Sequence, residues 1–174
     1  MKVFFSSDAH FGDHRVLNIR SRPFSCVSEM NDVMIARWNA RVSTDDEIWH
    51  LGDFASGLKV AHAVFSRLNG RKHLVTGNND SRGICALSWQ SVQAYAEINV
   101  QNTMLVLCHY PFRSWNGMHR GSVNLHGHSH GRLAAMKRQF DVGVDAHGFE
   151  PVLLNELLGN TPASRKGRGF AKVR

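Results

Sequence analysis

Cysteine, proline and long apolar runs are all scarce in this 174-residue chain, which holds three cysteines and four prolines. Cys26, Cys85 and Cys108 are odd in number and include no C-x-x-C pair. That argues against a disulfide framework and for a reducing, cytoplasmic setting. No apolar run approaches the ~18 residues that a membrane-spanning helix needs, so no membrane partner is expected. The opening stretch MKVFFSSDAH holds one lysine and two phenylalanines before it turns polar. It reads as a buried first strand, too short for a signal peptide. No internal repeat or low-complexity block appears.

What is present fits one domain, and a chain of this length buries roughly 70% of its unfolded surface, enough for a core without disulfides. The formal net charge of +7 is concentrated at the end, where Arg165, Lys166, Arg168, Lys172 and Arg174 follow Glu156, the last acidic residue. The chain therefore divides into a folded domain over 1–160 and a basic, flexible tail over 161–174. The tail reads first as a solvated segment. Nucleic acid is the polyanion it would attract.

Residues 2–7 form a short run rich in β-formers, followed by the loop-like DAHFGD. Val27, Met30, Met34, Trp38 and Val42 recur at helical spacing, which predicts an amphipathic helix. Strand, break and helix then alternate: 47–51, GDFASG, and a helix over 58–68 closed by Asn69-Gly70. A third strand, KHLVTG, runs straight into NND. Residues 81–93 read as loop. YAEINV and TMLVLCH flank Gln101-Asn102, a hairpin signal. SVNLHG is a further strand, 138–145 alternates weakly, and 151–159 reads as a terminal helix with Pro151 near its start. Strands alternating with helices predict an α/β fold, and the later hairpin predicts mixed sheets.

Four of these strands end in polar residues able to bind metal: Asp8 and His10, then Asp53, then Asn78 to Asp80, then His109. In α/β sheets, sites assemble at the carboxyl ends of strands. Each residue alone has an ordinary reading, as a turn former or a loop histidine. Their recurrence carries the argument. The stretch LHGHSHG adds three histidines. Imidazole is the commonest protein metal ligand, and His128 and His130 are the pair chosen here. The set of Asp8, His10, Asp53, Asn78, His109, His128 and His130 mixes oxygen and nitrogen donors without thiolate. It suits two divalent ions, manganese first, with iron, zinc, nickel or magnesium as alternatives. Asp53 is a natural bridge between them.

Asp8-Ala9-His10, Gly52-Asp53, Gly77-Asn78-Asn79-Asp80, His109 and Gly127-His128-Ser129-His130 resemble, in order, the calcineurin-like metallophosphoesterase signature of D-x-H, G-D, G-N-H-D/E, H and G-H-x-H. The phrases RPF, WN and HLGDF resemble small bacterial members. The resemblance implies two mixed β-sheets packed as a sandwich and flanked by helices, with metal-assisted hydrolysis of phosphate esters. It implies that Asp8, His10 and His130 bind one ion and that Asn78, His109 and His128 bind the other, with Asp53 bridging. His126 matches no motif position.

The third motif departs from the family. Asn79 stands where most members have a histidine, which in the family assists charge stabilisation or leaving-group protonation. Asparagine donates a hydrogen bond but cannot act as a general acid, a loss that typically costs about 10²–10⁴-fold. Members lacking this histidine tend to favour diesters. The expected activity is therefore a phosphodiesterase on nucleotides or cyclic nucleotides, with a phosphomonoesterase or a non-catalytic scaffold as alternatives. Asn79 and Asp80 are the expected catalytic pair, Asp80 orienting Asn79 or a water. His14 or His50 would be the replacement proton source. Trp115, between His109 and His128, is placed by position on the substrate cleft.

Overall fold

The computed structural model describes residues 1–159 apart from Arg20 and Ala135. The basic tail expected over 161–174 lies outside the described residues. One sheet is built from β1 (Val3–Ser6), β2 (Glu47–His50), β3 (Arg71–Val75), β4 (Ser91–Gln93) and β9 (Val152–Leu153), in the order β4-β3-β2-β1-β9. Its first four strands are parallel, and β9 runs antiparallel to β1. The second sheet has the order β5-β6-β7-β8, from β5 (Tyr95–Val100), β6 (Thr103–Cys108), β7 (Val123–His126) and β8 (Gln139–Asp141). β5 and β6 pair antiparallel, while β6, β7 and β8 are parallel. Both sheets are mixed, as expected.

The alternation of β1 shows how the layers form. Phe4 faces a core made with α2 (Val27–Arg41) and α3 (Leu58–Phe65), where Met30, Met34, Ile35, Trp38, Ala61 and Val64 are buried. Phe5 points the other way, into a second core shared with Leu105, Leu107 and Leu125 of the facing sheet. Burying each such ring contributes roughly 1.5–3 kcal/mol. The first sheet is thus sandwiched between helices and the second sheet. At one end the two sheets meet: Ser7 bridges Gly143, and the Val144 N–H donates to the Ser7 carbonyl at 3.0 Å.

Several expectations are corrected. Residues 81–93 are not all loop, since they hold α4 (Arg82–Cys85) and β4, whose three residues pair with β3. The terminal helix α5 (Leu154–Gly159) starts three residues after Pro151. Val152 and Leu153 pair instead with the free edge of β1. α3 ends at Phe65, and only residues 139–141 of the 138–145 stretch form a strand. A short helix, α1 (Arg15–Ile19), had no periodic signal. The hairpin at Gln101-Asn102 is as expected, with both residues left-handed at φ 51° and 60°, the conformation two-residue turns favour. No helix among the described residues is long and apolar enough to cross a membrane.

Candidate metal centre

All seven expected metal ligands lie just beyond the carboxyl ends of parallel strands: Asp8 and His10 after β1, Asp53 after β2, Asn78 after β3, His109 after β6, and His128 and His130 after β7. The meeting of the two sheets brings these ends together. Five of the seven hold left-handed backbone, with φ of 55° at Asp8, 50° at His10, 58° at Asp53, 66° at His128 and 49° at His130. Such conformations cost energy for non-glycine residues and cluster at functional sites. Here a network of bonds enforces them. Asp8 N–H donates to Gly52 O, and His10 N–H to Asp53 O, both at 3.0 Å.

Gly127 explains one glycine of the motifs. A Cβ there would stand 1.9 Å from Ser7 Oγ and 2.4 Å from Asp8 Oδ2. Any side chain would push the histidine loop off β1. With glycine, the His128 N–H donates to both Asp8 carboxylate oxygens, at 3.1 and 2.9 Å. Asp141 pins the same loop from the other side, accepting from Ser129 Oγ at 2.6 Å and the Gly131 N–H at 2.7 Å.

Asp8, His10 and His130 present one donor atom each within 4.8 Å of one another, and so do Asp8, Asp53 and His109. His130 Nε2 lies 3.6 Å from Asp8 Oδ1, and His10 Nε2 lies 3.5 Å from Asp53 Oδ2. The His130 ring is oriented from behind, because its Nδ1 sits 2.6 Å from Asp145 Oδ2. Asp145 is in turn gripped by Arg22, Nε to Oδ1 at 2.8 Å and Nη2 to Oδ2 at 2.9 Å. Arg22 is buried and donates as well to the carbonyls of Ala9 and Asp8. Burial alone would raise the Asp145 carboxyl, but the His130 and Arg22 hydrogen bonds outweigh it and hold the group at about 2.

The rest of the cluster is simpler. His109 is fully buried, and its Nδ1 lies 2.8 Å from the Leu51 carbonyl. Nδ1 must carry the proton to make that bond, so Nε2 keeps its lone pair. That lone pair faces Asn78 Oδ1 at 3.1 Å and Asp53 Oδ2 at 3.7 Å. Acceptors of three residues converge here, with the Asn79 amide as a donor to Asp53 Oδ2 at 2.6 Å, and such a set suits a cation. Burial pushes the His10 ring down to about 4, leaving it neutral, and raises the Asp8 carboxyl to about 7. The donor set thus fits divalent metal: imidazoles and buried carboxylates. A cleft of about 220 Å³ opens over it, and five of the donors line it: His10, Asp53, Asn78, His128 and His130.

Other sequence expectations fare differently. Asn79 is exposed at the cleft, with Nδ2 2.6 Å from Asp53 Oδ2. Asp80 does not hold Asn79. Its carboxylate accepts the backbone N–H groups of Asp53, Phe54 and Gly77 at 2.8, 2.9 and 2.8 Å, locking two ligand loops together. Trp115 is not on the cleft; it is buried and donates to the Ser122 carbonyl. His50 is buried in the helix-side core with neither ring nitrogen partnered, and His14 is exposed on the surface. His126 bonds through Nδ1 to the Gly127 carbonyl. The sequence reading missed Asp145 and Tyr110, and it quoted Arg22 within RPF without giving it a role. Tyr110 is exposed, with its hydroxyl 3.4 Å from Asn78 Oδ1 and its ring 4.8 Å from that of His128. Asp145 belongs to no motif, and only its contact with His130 reveals it.

Comparison with known proteins gives the family and the fold. The chain is 30% identical over 186 residues to the Gene 66 protein of Mycobacterium phage D29, covering 86% of this chain and 92% of the relative. It is 27% identical over 167 residues to an uncharacterized protein of Methanocaldococcus jannaschii, covering 90% and 89%. Among solved structures, a protein of unknown function from Aquifex aeolicus shares the fold at a TM-score of 0.72 and 20% identity, covering 90% of this chain and 97% of its own. The family model described as "Calcineurin-like phosphoesterase superfamily domain" matches residues 1–146. The chain is a member of the calcineurin-like phosphoesterase superfamily.

Proposed function

We propose that this chain hydrolyses phosphodiesters, of the nucleotide or cyclic-nucleotide kind, at a centre of two divalent ions with manganese the first choice. One observation carries the proposal: seven oxygen and nitrogen donors follow the carboxyl ends of strands in both sheets, and five of them line one cleft. A scaffold would have no use for so many buried, strained donors. Asp8, His10 and His130 would hold one ion, Asn78, His109 and His128 the other, with Asp53 shared. Bound there, the ions would polarise a phosphoryl oxygen and lower the pKa of a water towards ~7, supplying the nucleophile at neutral pH.

The chain's own residues do the rest. Asp145 and the Leu51 carbonyl fix two rings by their Nδ1 atoms, so that both present Nε2 to the centre. Asp80 holds the Asp53 and Gly77 loops in register and is a positioning residue. Asn79, at the cleft, donates to a phosphoryl oxygen and stabilises the charge that develops there. It has no proton to give a leaving group, which favours diester over monoester chemistry.

The test compares bis-p-nitrophenyl phosphate with p-nitrophenyl phosphate, with Mn²⁺ added and with chelator. Metal-dependent turnover of the diester well above the monoester is expected. Faster monoester turnover would refute the role given to Asn79. No turnover of either substrate by metal-loaded protein would refute the hydrolase reading.

A further inference from the structure

Among the described residues, two arginines, Arg15 and Arg22, lie at the centre and use their donors in opposite ways. Arg22 is buried, and Nε, Nη1 and Nη2 are all spent on Asp145 and on the carbonyls of Ala9 and Asp8. It is part of the frame. Arg15 lies on the wall of the cleft with its side chain 62% exposed. Among the described residues lining the cleft it is the one lysine or arginine.

Arg15 is nevertheless held in place. Asp13, whose side chain is 5% exposed, receives its Nε at 2.9 Å and its Nη2 at 2.7 Å. Asp13 also accepts the Arg15 backbone N–H at 2.9 Å. The Asp13 N–H in turn donates to the carbonyl of His10, a metal-ligand candidate, at 3.0 Å. A buried carboxylate thus fixes one edge of an exposed guanidinium relative to the centre. A guanidinium has about five N–H donors. Nη1 makes no hydrogen bond among the described residues, so a charged, forked edge is left unspent beside the cleft. An arginine pre-set in this way recognises phosphate oxygens better than a free lysine does.

We infer that Arg15, clamped by Asp13, binds a second phosphate of the substrate, one link away from the phosphate being cleaved. This rests on the phosphoesterase reading above and names the substrate class for it: a diester with a neighbouring phosphate, such as a phosphorylated dinucleotide or a nucleic-acid strand. The scissile phosphate is served by the centre itself and by Asn79. Arg15's exposure sets it at the rim, where the next group of a longer substrate passes.

The test uses two dinucleotides that differ by one group, pTpT with a 5′-phosphate and TpT without it. Each carries the same 3′ fluorescein. Binding to Mn²⁺-loaded protein is read by anisotropy at low temperature within seconds of mixing. Wild type should bind pTpT more tightly than TpT. R15A should weaken pTpT about tenfold, the scale of one charge-assisted contact, and leave TpT within about twofold. R15K, which keeps the charge but loses the fork to Asp13, should fall between. No preference for pTpT in wild type overturns the inference. Equal weakening of both ligands also overturns it, since Arg15 would then serve the scissile phosphate or the fold. Turnover of bis-p-nitrophenyl phosphate by wild type judges the phosphoesterase reading separately.

Discussion

The two halves of the candidate centre are built from different materials. The half formed by Asp8, His10 and His130 is buried and braced by ionic groups. Asp8 and His10 are almost inaccessible, and the His130 ring rests on the Asp145–Arg22 pair. The half formed by Asn78, His109 and His128 is open to solvent, and the His109 ring rests on a neutral group. Only His109 is buried there, its partner is a backbone carbonyl, and Asn78 and His128 are exposed. The difference teaches a division of labour. A carboxylate behind a ligating imidazole raises its basicity and fixes its direction, so the first half should retain its ion more tightly. The second half should exchange its ion and meet the substrate first.

The strongest way to break this comparison is to remove the residue both halves share. Asp53→Ala should lower bis-p-nitrophenyl phosphate turnover about 10³-fold or more and weaken both metal-binding events. Loss of one event alone, seen in a calorimetric Mn²⁺ titration, would show that Asp53 belongs to a single half. A finer cut is Asp145→Asn, which leaves the ligands intact but takes the charge from behind His130. The tighter binding event should weaken about 10–100-fold while the weaker one is unmoved. If the weaker event shifts instead, the assignment of tight and loose halves is reversed. The His109 ring allows no equivalent substitution, since its Nδ1 support is the Leu51 main chain.

How much of this was legible in the sequence depends on the range of the interaction. The candidate ligands were legible because each follows a strand whose apolar run is local, and because the structure brings those strand ends together. The pattern gave an α/β fold with mixed strands, and the sandwich came from the resemblance. The brace was not legible: Arg22 stands in the phrase RPF, but its partner Asp145 lies 123 positions away and carries no local signal. The strand β4 escaped because three residues are too few to show a period. β9 escaped because Val152 and Leu153 sit at the start of a helical pattern and pair only because β1 has an open edge. Trp115 was misplaced because nearness in sequence to His109 and His128 does not make it near the cleft. Its indole is buried and bonded to Ser122 instead.

Proton competition gives the gentlest test, and it too separates the halves. Burial raises the Asp8 carboxyl to about 7, while burial lowers the His10 ring to about 4. Below pH 7, then, an ion entering the first half must displace a proton from Asp8 but none from His10. Its affinity should fall about tenfold for each pH unit between 7 and 5. The metal-free protein should show the matching stability effect. A carboxyl raised in the folded state favours folding below the ordinary carboxylate range, and that contribution is lost as pH rises through 7. Metal should reverse this loss, because an ion holds Asp8 ionised without the burial penalty. Parallel calorimetric titrations at pH 5, 6, 7 and 8 measure the affinity, and thermal melts with and without Mn²⁺ measure the stability. A first-half affinity independent of pH across this window would mean that Asp8 is already ionised when the ion arrives, and the ionic brace around it would then be holding a charge rather than a proton.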